Sequence, residues 1–169
     1  MPEAYFVSPV GMLKLTADDE ALRAIDFLKD GSYAHPGSSH PALKESVVLK
    51  ENAVLKEAVR QLDEYFKGKR ESFDLKLKPE GTEFQKRVWM ELLKIPFGRT
   101  ISYLELAERL GDRKVIRAVA GANGRNRIPI IIPCHRVIGS DGSLTGYSGG
   151  LDIKKWLLRH EGSLMDLAL

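Results

Sequence analysis

Pro79-Glu80-Gly81 divides the chain into two stretches of different periodicity, and no single regular layer can run through that break. Before it, the apolar stretches Ala4 to Val7 and Met12 to Leu15 are interrupted by Pro9, Gly11 and Asp18-Asp19, which predicts short antiparallel strands up to about Asp30. Gly31 to Pro41 holds two Pro, two Gly and several Ser and His, and reads as a loop. Leu55, Val59, Leu62 and Phe66 recur at helical spacing, so a helix is expected from about Glu45 to Phe66, with Gly68 as its stop. Phe73, Leu75 and Leu77 alternate with Asp74, Lys76 and Lys78, the pattern of one half-buried strand. The expected fold class is therefore α+β, with a small N-terminal α+β domain over 1–79 and a mainly helical domain over 80–169.

After the break the signals are helical. Thr82 with Gln85 forms a capping box ahead of Phe84, Val88 and Leu92, and Pro96 and Gly98 end that helix. Ser102 with Glu105 starts another, with Leu106 and Leu110 on one face and Gly111 as the stop. Asp112 then caps a second short helix that buries Val115, Val119 and Ala122 and ends near Gly124. Two short helices joined by Gly-Asp form a helix-turn-helix, although unrelated helical proteins also contain such hairpins. Ile128 to Ile132 reads as a tight apolar strand leading through Pro133 to Cys134, His135 and Arg136. Gly139 to Gly150 is rich in Gly and Ser, and Leu151 to His160 resumes as a helix.

A chain of 169 residues, 43% hydrophobic, is long enough to bury a core, and no segment approaches the roughly 20 apolar residues of a membrane span. The start of the chain lacks the basic and apolar pattern of a leader, so the cytoplasm is expected, or the nucleus in a eukaryote. The net charge of +3 is unevenly spread: eight Lys/Arg against three Asp/Glu lie between Arg99 and Arg136, leaving the remainder at −2. A local basic face suits phosphate binding, and equally a solvated surface.

The single cysteine excludes an internal disulfide and zinc sites built on paired Cys, so no metal is expected. Cys134 is either a small buried hydrophobe or a nucleophile. A neighbouring His135 and Arg136 would favour the thiolate, yet an extended strand would send Cys134 and His135 to opposite faces. By spacing alone His135 reads equally well as a histidine bonded to backbone. Glu161, at the end of the last helix, opposes the macrodipole and needs a compensating partner, which an imidazole would supply.

Pro133-Cys134-His135-Arg136-Val137, Gly146-Tyr147-Ser148-Gly149-Gly150, Trp156-Leu157-Leu158 and His160-Glu161-Gly162 closely resemble the O6-alkylguanine-DNA alkyltransferase family, also called methylated-DNA-protein-cysteine methyltransferases. Ile101-Ser102-Tyr103, Arg117-Ala118-Val119 and Asn126 strengthen the match, which runs from about Phe84 to Gly162. The resemblance implies a ribonuclease H-like N-terminal domain and a winged helix-turn-helix C-terminal domain. It implies single-turnover transfer of an alkyl group from O6 of guanine in double-stranded DNA to Cys134 without a cofactor, with O4 of thymine open as a second substrate. Carried over residue by residue, His135 acts through a water as the base and Glu161 orients it. Asn126 ties the helix-turn-helix to the active-site segment, and Tyr103 donates a proton to the guanine ring. Arg117 takes the place of the extruded base, the Val137 carbonyl receives the exocyclic amine, Tyr147 flanks the alkyl group and the Ser148 amide donates to O6. Gln85 and Ser140 contact the DNA backbone. The implied partner is alkylated duplex DNA, bound without a membrane and by a monomer, with cooperativity on DNA left open. Many relatives carry Asn-Pro where this chain has Asn126-Arg127, which leaves this loop less rigid and offers Arg127 to a phosphate. A non-catalytic damage binder of the alkyltransferase-like type, a thiol hydrolase and a winged-helix transcription factor are the rival readings; Cys134 argues against the first.

Overall fold

The computed structural model describes residues 1–28 and 51–164, together with the backbone of 47–48. The architecture is α+β, and the chain divides into two compact units, Met1–Pro79 and Glu80–Leu169.

In the first unit β1 (Glu3–Ser8), β2 (Gly11–Ala17) and β3 (Leu22–Phe27) form the expected antiparallel meander. A two-residue β4 (Val47–Val48) adds to the free edge of β1, giving the order β3-β2-β1-β4. Leu13, Leu15 and Leu22 are fully buried, each contributing about 1.5–3 kcal/mol by removal from water. Helix α1 (Ala53–Phe66) supplies Leu55, Ala58, Leu62 and Tyr65 to this core.

Two expectations for this unit are corrected. The helix begins at Ala53 rather than near Glu45, because Val47 and Val48 pair with Tyr5 and Ala4 and because Asn52 stays extended and caps the helix, accepting from the Leu55 amide. The remaining residues of that expectation before Glu51, like the loop expected over Gly31 to Pro41, lie outside the described residues. The Phe73 to Leu77 segment keeps its alternating exposure but forms only an isolated bridge to Leu22. The buried Gln61 side chain takes the place of a neighbouring strand: its amide donates to the Asp74 carbonyl at 3.0 Å and its oxygen accepts from the Asp74 amide at 2.8 Å.

The second unit holds α2 (Glu83–Leu92), α3 (Tyr103–Arg109), α4 (Ile116–Gly124) and α5 (Leu151–His160), with a two-stranded parallel pair of β5 (Ile101–Ser102) and β6 (Val137–Ile138). Both sides of the Thr82–Gln85 capping box are made. Helix α3 ends in a Schellman turn: the Gly111 amide bonds the Glu108 carbonyl and the Asp112 amide bonds the Ala107 carbonyl, which requires the left-handed φ of +96° at Gly111. Asp112 caps a 3-10 turn, Arg113–Val115, that runs directly into α4 and completes the helix-turn-helix. Trp89 of α2 holds α4 by donating to the Ala122 carbonyl at 2.9 Å. Among the described residues no helix is long and apolar enough to cross a membrane.

Candidate active site

The segment before Cys134 is a chain of turns rather than the expected strand. Asn126 organises it: the side-chain oxygen accepts from the Ile128 amide at 3.0 Å and the side-chain nitrogen donates to the Ile132 carbonyl at 2.7 Å. Ile130 is thereby held at φ +73°, a left-handed conformation that costs a β-branched residue on the order of 1–3 kcal/mol and persists only where surrounding bonds over-determine it. Pro133 then makes an inverse γ-turn, with φ −82° and ψ 63° and the Cys134 amide on the Ile132 carbonyl at 2.8 Å. Cys134, His135 and Arg136 form one 3-10 turn. Successive side chains on such a turn diverge by about 120° rather than the 180° of a strand, so Cys134 and His135 do not face opposite ways.

All three side chains are buried, and His135 is completely so. Its Nε2 lies 2.9 Å from Glu161 Oε2. Glu161 stands at the end of α5, which closes in a second Schellman turn at Gly162, φ +74°, with Gly162 bonded to Arg159 and Ser163 to Leu158. The compensating charge that this carboxylate needs comes chiefly from Arg136. Its Nε donates to Oε1 at 2.7 Å, one terminal nitrogen donates to Oε2 at 3.0 Å, and the other donates to the Ile95 carbonyl at 2.6 Å. Burial would raise the Glu161 pKa, but the bonds from His135 and Arg136 outweigh it and hold the carboxyl at about 2. Burial lowers the pKa of His135 against the opposing pull of Glu161, and the charges of Arg136 and Lys154 lower it further. A neutral imidazole against an acceptor-only carboxylate carries its hydrogen on Nε2, so Nδ1, which is buried without a hydrogen-bond partner among the described residues, is a lone-pair acceptor.

The sequence favours a thiolate at Cys134; the structure does not. Burial pushes the thiol up to about 11, only partly offset by the Asn126 side chain, the charge of Lys154 and the amides of Cys134 and His135. Lys154 is the unexpected member of the group. Its side chain is fully buried on α5, and its ammonium donates to the carbonyls of Val137 at 2.7 Å and Thr145 at 3.0 Å; burial lowers its pKa to about 8.

Above the turn lies a pocket of about 380 Å³ between α4 and the loop after β6, with Tyr103, Arg117, Asn123, Thr145 and Gly146 in its walls. The Tyr103 hydroxyl donates to the Thr145 carbonyl at 3.0 Å, and burial raises its pKa so that it stays a donor. Arg117 is exposed on α4 at the pocket wall. Asn123 is 3% exposed and donates from Nδ2 to the Cys134 carbonyl at 3.3 Å.

The structure thus gathers Cys134, His135, Glu161 and Asn126 into one buried cluster, with Val137 directly after it and Tyr103 and Arg117 in the adjoining pocket. Tyr147 is half-buried and Ser148 exposed in the loop before α5. Ser140 lies in an exposed turn, and Gln85 is engaged in the α2 capping box through its oxygen, leaving its amide nitrogen for a further bond. Sequence reasoning missed the pairing of Arg136 with Glu161 and missed Lys154 and Asn123 altogether. Both of the latter interrupt apolar helical stripes: Asn123 stands four residues after buried Val119, and Lys154 stands three and four before buried Leu157 and Leu158.

Residues 83–163 match the model of the 6-O-methylguanine DNA methyltransferase DNA-binding domain, and residues 1–79 match that of the ribonuclease-like domain of the same family. A methylated-DNA-protein-cysteine methyltransferase of Methanosarcina acetivorans is 50% identical over 160 residues, covering 95% of this chain and 97% of that one. Its counterpart in Haemophilus influenzae is 43% identical over 93% of this chain and 84% of its own. The crystal structure of Mycobacterium tuberculosis OGT in complex with DNA superposes with a TM-score of 0.78 at 42% identity, over 94% of this chain and 91% of that one.

Proposed function

Because the chain belongs to the 6-O-methylguanine DNA methyltransferase family, we propose that it repairs DNA by direct reversal, moving an alkyl group from O6 of guanine in a duplex onto Cys134. The observation that carries this reading is the buried Cys134 beside a neutral His135, itself held at 2.9 Å by a Glu161 that Arg136 keeps ionised.

In this reading the lesion is extruded through the basic helix-turn-helix, with Arg117 filling its place, and enters the pocket beside Tyr103. The Cys134 proton passes by way of a water to Nδ1 of His135. The sulfur attacks the alkyl carbon as the carbon–O6 bond breaks, and the electron pair leaves with the base. Tyr103 protonates the ring, and the proton held on His135 makes good the loss, so in sum the alkyl group goes to sulfur and the thiol hydrogen to guanine. A resting thiol pushed to about 11 is unreactive until a substrate docks, which suits a protein whose nucleophile serves once. The thioether is stable, so each molecule acts a single time. The Val137 carbonyl, Tyr147 and the Ser148 amide line the base and alkyl sites, while Gln85 and Ser140 hold phosphates. The protein works as a monomer on the DNA it repairs, in the cytoplasm or, in a eukaryote, the nucleus.

The test is the intact mass after incubation with a duplex carrying one O6-methylguanine, followed by peptide mapping. One added methyl on Cys134, saturating at one per protein, is expected. An unchanged mass with tight binding would replace this reading with that of a non-catalytic damage binder.

A further inference from the structure

Asn123 is buried on the inner face of α4, yet only one end of its amide is used. The nitrogen donates to the Cys134 carbonyl at 3.3 Å, which fixes the orientation of the group, since a flipped amide would set two oxygens against each other. The oxygen Oδ1 is fully buried and has no hydrogen-bond partner among the described residues. Asn123 lines the pocket together with Tyr103 and Arg117. A buried acceptor left unpaired is costly, and it repays that cost only with a donor on something that enters the pocket.

An O6-alkylguanine offers few donors. Alkylation removes the N1 hydrogen, N3 and N7 present lone pairs, and the exocyclic 2-amino group is the only N–H donor on the base. We propose that Asn123 reads this amine, its Oδ1 accepting one of the two N–H hydrogens. The inference rests on the alkyl-transfer reading above and makes the site selective for a 2-aminopurine. The second hydrogen remains for the Val137 carbonyl, which already accepts from Lys154 at 2.7 Å but has another lone pair. A base with no donor in this position, such as O4-alkylthymine or O6-alkylhypoxanthine, leaves Oδ1 unpaired, and a site built around one hydrogen bond discriminates against an analogue that lacks it.

The experiment compares single-turnover methyl transfer from duplexes carrying O6-methylguanine or O6-methylhypoxanthine, which differ only in the 2-amino group. The wild-type protein is expected to react about tenfold or more faster with the guanine lesion, the range that one buried hydrogen bond spans. Asn123→Leu, near in size, and Asn123→Ala as a second variant also remove the bond to the Cys134 carbonyl and so slow both substrates, but they should slow O6-methylguanine about tenfold more than O6-methylhypoxanthine, so that the preference collapses. Equal rates on the two substrates in the wild type would overturn the proposal. So would equal slowing on both in the variants, which would make the amide a support for the Cys134 backbone. Failure of the wild type to take methyl from either lesion would overturn the alkyl-transfer reading itself, and the inference with it.

Discussion

Replacing Arg136 with Met should both weaken the fold and move the pH dependence of alkyl transfer. The guanidinium makes two bonds to Glu161 and one to the Ile95 carbonyl, all buried. A Glu161 pKa of about 2 in place of the ordinary 4.5 corresponds to about 3 kcal/mol of stability at neutral pH. The sign follows from the depressed carboxyl pKa: this stability is present above about 4.5 and is lost as pH falls toward 2. Removing one partner of such a buried pair costs about 3–5 kcal/mol, because the other charge stays buried. Arg136 also lowers the pKa of His135, whereas Glu161 raises it. In Arg136→Met the repulsion goes while burial and the attraction of Glu161 remain, so His135 takes up a proton at higher pH than in the wild type and accepts one from Cys134 only above that higher pH. Urea unfolding at pH 7 should show a loss of about 3–5 kcal/mol. The acid limb of the single-turnover rate should move to higher pH, and Arg136→Lys, which keeps the charge, should recover much of that shift. A stability change below about 1 kcal/mol with an unmoved acid limb would refute the assignment of Arg136 as the group that keeps Glu161 ionised and His135 neutral.

Cys134→Ala should abolish methyl uptake by intact mass while leaving affinity for damaged duplex largely unchanged in a gel-shift titration; loss of binding would make Cys134 structural. Arg117→Ala should slow repair in a duplex far more than transfer from free O6-benzylguanine, and equal slowing would remove its role in base extrusion. Lys154→Met should drive the Cys134 thiol above its already raised value, because the charge of Lys154, which lowers it, is lost; the rate of thiol modification by iodoacetamide should then rise only at more alkaline pH than in the wild type. An unchanged profile would confine Lys154 to tying the carbonyls of Val137 and Thr145.

Much of the secondary structure was legible because local chemistry dictates it. The Thr82–Gln85 box, the Ser102 and Asp112 caps and the Gly111 stop each act within four residues, and all four stand where spacing put them. The misread segments are those whose backbone groups are taken up by partners that apolar periodicity does not register. Val47-Val48, β-branched and disposed to a strand, is too short to mark one by periodicity and is recognised only by its pairing with the edge of β1. Phe73 to Leu77 alternates as a strand does, yet its Asp74 backbone pairs with a glutamine side chain thirteen residues away. Ile128 to Ile132 is apolar enough for a strand, but Asn126 takes up the backbone groups that a neighbouring strand would need.

The sequence by itself determined the order of elements, the basic stretch and the single thiol, and its motifs named the family, because these depend on residue type and on spacings shorter than a helix. Only the tertiary structure decided the electrical state of the site. Whether Cys134 rests as a thiol depends on how much water its surroundings exclude, and whether His135 is neutral depends on whether burial, with the charges of Arg136 and Lys154, outweighs the pull of Glu161. The same holds for Lys154 and Asn123, ordinary surface residue types that packing turns into a buried cation and a buried acceptor beside Cys134. Burial and Coulomb interaction depend on distance through space, and residues 134, 136, 154 and 161 become neighbours only after α5 packs against the turn that carries the cysteine.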